Sequence, residues 1–121
     1  MRDVQKFVVS VTDTIHTAME KITENKHRAV IVLDQGKVVG TVSDGDLRRA
    51  FLQEILPIAP VEKVMNLNCR TTTEQDPHKQ RELIQREKVT VLPVVDRQNE
   101  LIDVVLAYEP FDDEGRAPIQ G

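Results

Sequence analysis

The run Gly40-Thr41-Val42-Ser43-Asp44-Gly45-Asp46-Leu47-Arg48-Arg49 holds the residues of this chain best suited to recognising a small molecule. It begins where a Val-rich strand pattern, Lys37-Val38-Val39, ends, and it leads into a helical pattern. A glycine at such a junction lets a ligand or another backbone approach closely. A hydroxyl and a carboxylate then sit at the start of a helix, whose free N–H groups and positive dipole end favour anions. Ser43 can donate a hydrogen bond to a phosphoryl oxygen, and Asp46 can accept from two vicinal hydroxyls. Gly40, Ser43 and Asp46 together therefore suit a phosphate and a ribose. Ser and Asp are equally ordinary helix caps, and spacing alone leaves both roles open.

The elements that must position these residues are legible from apolar spacing. Phe7 to Val11 reads as a short extended segment, and Thr12, Asp13 and Thr14 offer caps to a helix over about residues 14–24. Ile15, Ala18, Met19 and Ile22 follow the i, i+3, i+4, i+7 spacing of one buried face. Ala29 to Leu33 is a continuous aliphatic run of strand length, as expected for a strand covered on both faces. Asp34-Gln35-Gly36-Lys37 supplies a hairpin turn and Val38 to Val42 the return strand. The next helix is expected over about Asp46 to Leu56, burying Leu47, Ala50, Phe51 and Ile55. Pro57 and Pro60 then interrupt it.

The chain repeats itself. Lys26-His27-Arg28-Ala29-Val30-Ile31-Val32-Leu33-Asp34 lines up with Lys88-Val89-Thr90-Val91-Leu92-Pro93-Val94-Val95-Asp96, 62 positions later. Each copy follows a helical segment and precedes a turn and a second apolar run. In the second copy Asp76-Pro77 is a good helix start. Gln80 and Arg81 replace the apolar Ala18 and Met19 there, so Leu83 and Ile84 must carry the contact and the helix is expected to be shorter or more exposed. Pro93 inside an apolar run suggests a strand edge or bulge, because it cannot donate to the ladder.

This two-fold pattern, with Gly-x-x-Ser-x-x-Asp ending the first copy, resembles a pair of CBS (cystathionine-β-synthase) domains over roughly residues 7–109. The run from Ser43 to Ala50, with Pro60-Val61 and Val64-Met65-Asn66 downstream, is similar to the pairs attached to sugar-phosphate nucleotidyltransferases and sugar-phosphate isomerases. The resemblance implies an α/β fold of two β-α-β-β-α repeats paired about a pseudo-twofold axis, with clefts between them. It also implies an adenine nucleotide (AMP, ADP or ATP) as ligand, and a homodimer. The site residues it implies are Gly40, Ser43 and Asp46, joined by Ser10 as a polar contact, Arg28, Ala29 and Val30 at the central strand start, Asp44, and Arg48. Ala29 and Val30 would meet the base, and Arg48 and Arg49 phosphates, each arginine standing against the alternative of a solvated helix face. In the second copy Asp103, Leu106 and Glu109 replace the glycine, the hydroxyl and the aspartate, so one competent site is expected per chain. The implied division is 1–60 for the first repeat with its junction, 61–111 for the degenerate second, and 112–121 for a disordered tail.

Composition restricts the alternatives. With 121 residues the chain supports one compact domain or two small repeats sharing a core, and with aromatics at 3% and no Trp that core must be aliphatic. A net charge of −4 argues against nonspecific nucleic-acid binding. The start of the chain lacks the apolar region of a signal peptide, no run approaches the ~18 apolar residues of a membrane span, and a cytoplasmic protein is expected. Catalytic readings fare badly. Thr41 stands where a Gly-x-Ser-x-Gly elbow needs its first glycine. Asp44-x-Asp46 lacks the further ligands of a calcium loop, and His16, His27, His78 and Cys69 have no metal-ligand spacing. His27 reads as a cleft or a structural residue, and Cys69, beside Arg70, as a thiol of lowered pKa or as packing. The expected function is a regulatory module that binds nucleotide, does no chemistry, and modulates a partner enzyme or domain. The alternative is a dimerisation module whose site has decayed.

Overall fold

Thr14 and Asp76 open two helices of equal length at equivalent places in the repeat. The Thr14 side chain accepts from Thr17 N and begins α1 (Ile15–Asn25); Asp76 accepts from His78 N and begins α3 (Pro77–Glu87), with proline in the first turn. Both helices end on a lysine in the left-handed region, Lys26 at φ 60° and Lys88 at φ 57°, whose N–H groups bond Ile22 O and Ile84 O. The second helix is therefore as long as the first, so of the two outcomes expected, shorter or more exposed, it does not take the first. It is nonetheless the more exposed: Ile84 is its one buried residue, whereas α1 buries Ile15, Ala18, Ile22 and Asn25.

The structure, a computed structural model, describes residues 3–108. The expected tail over 112–121, and Glu109, lie outside the described residues. A 3-10 turn, Val4–Phe7, leads into β1 (Val8–Ser10); β2 (Ala29–Asp34) and β3 (Lys37–Ser43) complete a three-stranded sheet in the order β1-β2-β3. β1 runs parallel to β2, and β3 antiparallel to it. β4 (Val91–Val95) and β5 (Leu101–Leu106) form a separate antiparallel pair.

β2 is covered on both faces, as its unbroken aliphatic run demands. Successive strand side chains point to opposite sides, so Ile31 joins a core with Phe7, Val38, Val91, Val95, Val104 and Leu106, which ties the two repeats together. Val30 and Val32 join the other core, with Val9, Ala18, Ile22, Val42 and Val61. Pro93 is buried within β4, and its carbonyl accepts from Thr72 N at 3.0 Å, on the side away from β5. Its missing N–H thus costs the β4–β5 ladder nothing. The register shift lies next to it, between Val94 and Val95.

The second helix of the first repeat, α2, spans Asp44–Leu52 rather than 46–56. It starts earlier because Ser43 is its cap. It stops earlier because Glu54 turns left-handed at φ 61°, with Glu54 N bonding Phe51 O and Ile55 N bonding Ala50 O, a Schellman closure. Phe51 is exposed rather than buried, as is Met19 of α1. The junction that follows contributes to α1: Ala59 O and Pro57 O accept from Ile15 N and His16 N, two first-turn donors that the helix itself cannot satisfy.

Candidate functional site

A cleft of about 590 Å³ opens between the repeats, bounded by the starts of β2 and β4 and by the first turn of α2. The first repeat supplies Arg28 just before β2, Ala29 and Val30 from β2, Ser43 from the end of β3, and Asp44, Gly45, Asp46 and Arg49 from α2. The junction supplies Asn66, Asn68, Cys69 and Arg70, and the second repeat Glu87, Lys88, Thr90 and Val91. Asp44 N bonds Arg28 O at 3.1 Å, which fixes the strand start against the helix start.

Ser43 and Asp46 form a reciprocal cap. Asp46 N donates to Ser43 Oγ at 3.3 Å, and Ser43 N and Ser43 Oγ donate to Asp46 Oδ2 at 2.8 and 3.0 Å. This capping box satisfies orphan donors at the helix start and holds a carboxylate where the dipole favours it. Asp46 is buried, and its other oxygen, Oδ1, accepts from Arg49 Nη2. Both oxygens of the residue best suited to bind a ribose are thus already engaged. A second ion pair, Arg70 Nε to Glu87 Oε2 at 3.1 Å, ties the junction to the end of α3 on the cleft's far wall.

Six of the nine residues singled out from sequence line this cleft: Arg28, Ala29, Val30, Ser43, Asp44 and Asp46. Ser10, Gly40 and Arg48 do not. Parallel pairing places Ser10 beside Leu33 at the far end of β2 from Ala29, and its hydroxyl interacts with Thr12 Oγ1 instead. Gly40 permits a close approach, but of the chain itself: a Cβ there would lie 3.0 Å from Asn66 O and 3.1 Å from Met65 Sδ. Arg48 lines an apolar groove with Met19, Leu47 and Phe51, whereas its neighbour Arg49 faces the cleft. One residue along a helix turns the side chain by about 100°.

Sequence reasoning missed the wall built by the second repeat. A signal existed: the 62-residue offset that relates the copies carries Arg28 and Ala29 onto Thr90 and Val91, which stand in the same cleft. Cys69 also lines it and packs against the inter-repeat core. Burial pushes its thiol up from 9.0 despite a backbone hydrogen bond that acts the other way, so Arg70 does not activate it. His27 is wholly buried outside the cleft lining, its ring nitrogens 2.7 Å from Asn25 O and Tyr108 O, a structural histidine. Among the described residues no cluster of three or more His, Cys, Asp or Glu is placed to hold a metal ion, and no helix is long and apolar enough to cross a membrane.

Residues 1–53 match the family model of the CBS domain. The described fold superimposes on the CBS domains of a transcriptional regulator from Streptococcus pneumoniae with a TM-score of 0.70 at 21% identity, covering 88% of this chain and 87% of that one. It also matches the CBS domain protein PAE2072 from Pyrobaculum aerophilum, solved with AMP, at TM-score 0.66 and 19% identity, with 88% and 87% of the two chains covered. The CBS domain pair of protein MJ0100, solved with 5′-methylthioadenosine and S-adenosyl-L-methionine, gives 0.67 at 20% identity, over 84% of each chain. A search of curated proteins finds no sequence match. The first repeat thus resembles a CBS domain in sequence, and the described residues have the α+β fold of a CBS domain pair.

Proposed function

We propose that this chain is a regulatory module that binds one adenine nucleotide in the cleft between its repeats and passes the effect to a partner enzyme or domain, such as a sugar-phosphate nucleotidyltransferase or isomerase. The observation that carries the reading is the convergence, in one cleft, of the Ser43–Asp46 helix start with Arg28, Arg49, Arg70 and Lys88. A carboxylate suited to ribose hydroxyls stands among cations suited to phosphate, beside the start of an aliphatic strand against which a base can lie. Related folds solved with AMP, and with methylthioadenosine and S-adenosyl-L-methionine, support the adenosine part. The second-copy stretch around Asp103 lacks the hydroxyl and supports a stoichiometry of one. We place the first repeat at 1–60 and the second at 61–111, and we propose that two chains pair through the apolar surface around Phe51 and Leu52.

One observation favours the alternative of a purely structural module: Asp46 already has a complete set of partners within the chain. Titration calorimetry with AMP, ADP and ATP separates the two. Saturable binding at one nucleotide per chain is expected. Two equivalent sites, or no heat from any of the three at millimolar concentration, would overturn the proposal.

A further inference from the structure

Arg49 is bonded to the very oxygen that a ribose would need. Its Nη2 donates to Asp46 Oδ1, while Asp46 Oδ2 is committed to Ser43. The two partners differ in how firmly they are held. Ser43 N and Oγ are parts of the cap, and removing them dismantles the start of α2. The Arg49 side chain is 67% exposed although Asp46 is buried, so the guanidinium can leave for a ligand without unpacking the core. Oδ1 is therefore the acceptor that can change partner. The guanidinium also lies over the first turn: its Nη1 is 3.7 Å from where a Cβ on Gly45 would sit, at the helix end that attracts anions.

We infer that Arg49 sets the specificity of the cleft for phosphorylated over unphosphorylated adenosine ligands by exchanging Asp46 Oδ1 for a phosphate as the ribose arrives. An uncharged nucleoside must displace the guanidinium and gives it no new partner. A nucleotide displaces it and supplies a phosphate, which a planar five-donor fork can grip in two places. The arginine thus opposes the first ligand and rewards the second. Arg70 is placed differently, since its carboxylate partner Glu87 stands on the far wall and is not a ribose acceptor in this reading.

The inference rests on the proposed adenine-nucleotide site, and the experiment keeps the two apart. Affinities for adenosine and AMP are measured by calorimetry for the parent, Arg49→Met and Arg49→Lys. The parent should prefer AMP. In Arg49→Met, AMP should weaken about tenfold while adenosine binds as well as before or better, as expected when a charge-assisted pair and its competitor are removed together. Arg49→Lys, which keeps the charge without the fork, should fall between. An AMP-to-adenosine ratio unchanged in Arg49→Met, or both ligands weakened by one common factor, overturns the inference while leaving the nucleotide site standing. A parent that binds neither compound overturns both. Melting curves of the two variants, with the ratio as readout, separate loss of preference from loss of fold.

Discussion

His27 and Tyr108 stack with ring centroids 4.4 Å apart and planes 13° from parallel, although they belong to different repeats. Phe7 meets the same imidazole edge-on, at 5.5 Å and 74°. Tyr108 OH donates to Lys26 O at 2.9 Å, and Thr90 Oγ1 donates to His27 O. The loop between α1 and β2 is thereby fastened to the end of β5 and to the residue before β4. The cleft opens beside this fastening, since Arg28 and Ala29 follow His27 directly and Thr90 lines the cleft too. Tyr108→Phe keeps the stack and loses one hydrogen bond, so it should cost about 1 kcal/mol. His27→Ala removes the ring that stacks on Tyr108 and meets Phe7, together with the ring N–H that bonds a neighbouring carbonyl, and should cost at least about 2 kcal/mol. Urea unfolding of both variants checks the order, and a reversed order would mean that the stack contributes little.

Gly40→Ala tests close approach of backbone to backbone. The added Cβ would press on Asn66 O at 3.0 Å, an oxygen that already accepts from Thr41 N. Because that neighbour is main chain, relief requires moving the junction away from β3, and overpacking of this kind costs about 1–3 kcal/mol. A melting temperature unchanged from the parent would refute the tight contact.

Asp46→Ala should act twice. Losing the carboxylate of the capping box costs stability of about 1 kcal/mol. Losing a charged acceptor for ribose hydroxyls should weaken adenine nucleotides by about 1.5–3 kcal/mol. Ser43→Ala should cost similar stability with a smaller loss of binding, confined mainly to ligands with phosphates. Calorimetry paired with denaturation resolves the two effects. Unaltered affinity in the Asp46 variant would make that residue a cap alone.

Cys69 should react slowly. Its raised pKa means that the folded state favours the neutral thiol, so iodoacetamide at pH 8 should alkylate it more slowly than a free cysteine. The linkage has a definite sign. The stability contributed by the protonated thiol is present below the ordinary thiol range and is lost as pH rises through that range toward the raised folded value. A nucleotide in the cleft should slow alkylation further, because Cys69 lines it. Alkylation at or above the free-thiol rate would contradict the burial seen here.

Phe51 and Leu52 are exposed and line an apolar groove with Met19, Leu47 and Ile55, a surface suited to the proposed pairing of two chains. Light scattering on the eluting protein should give about twice the chain mass of 13.7 kDa. Phe51→Asp with Leu52→Asp should return it to that mass without unfolding it, since neither side chain is buried. A parent already at the single-chain mass would defeat the dimer.

The sequence by itself determined whatever depends on neighbours within four residues. Thr14 and Asp76 as caps, the aliphatic run of β2, and the Ser43–Asp46 pair at the start of α2 were all legible, because capping and strand patterning are local interactions. The repeat offset went further and predicted that Ala29 and Val91 are equivalent. It did not show that they face each other across one cleft. Only the tertiary structure decided which face of each element meets which. Parallel register carried Ser10 to the wrong end of β2 for the cleft, and helix phase sent Arg48 to the apolar groove and Arg49 to the cleft. The junction backbone at Asn66 claimed the space at Gly40, and packing of the second repeat brought Arg70 and Lys88 opposite Ser43. Such contacts join residues dozens of positions apart, and their energy comes from burial of whole surfaces such as the one around Ile31. No short spacing in the chain records them.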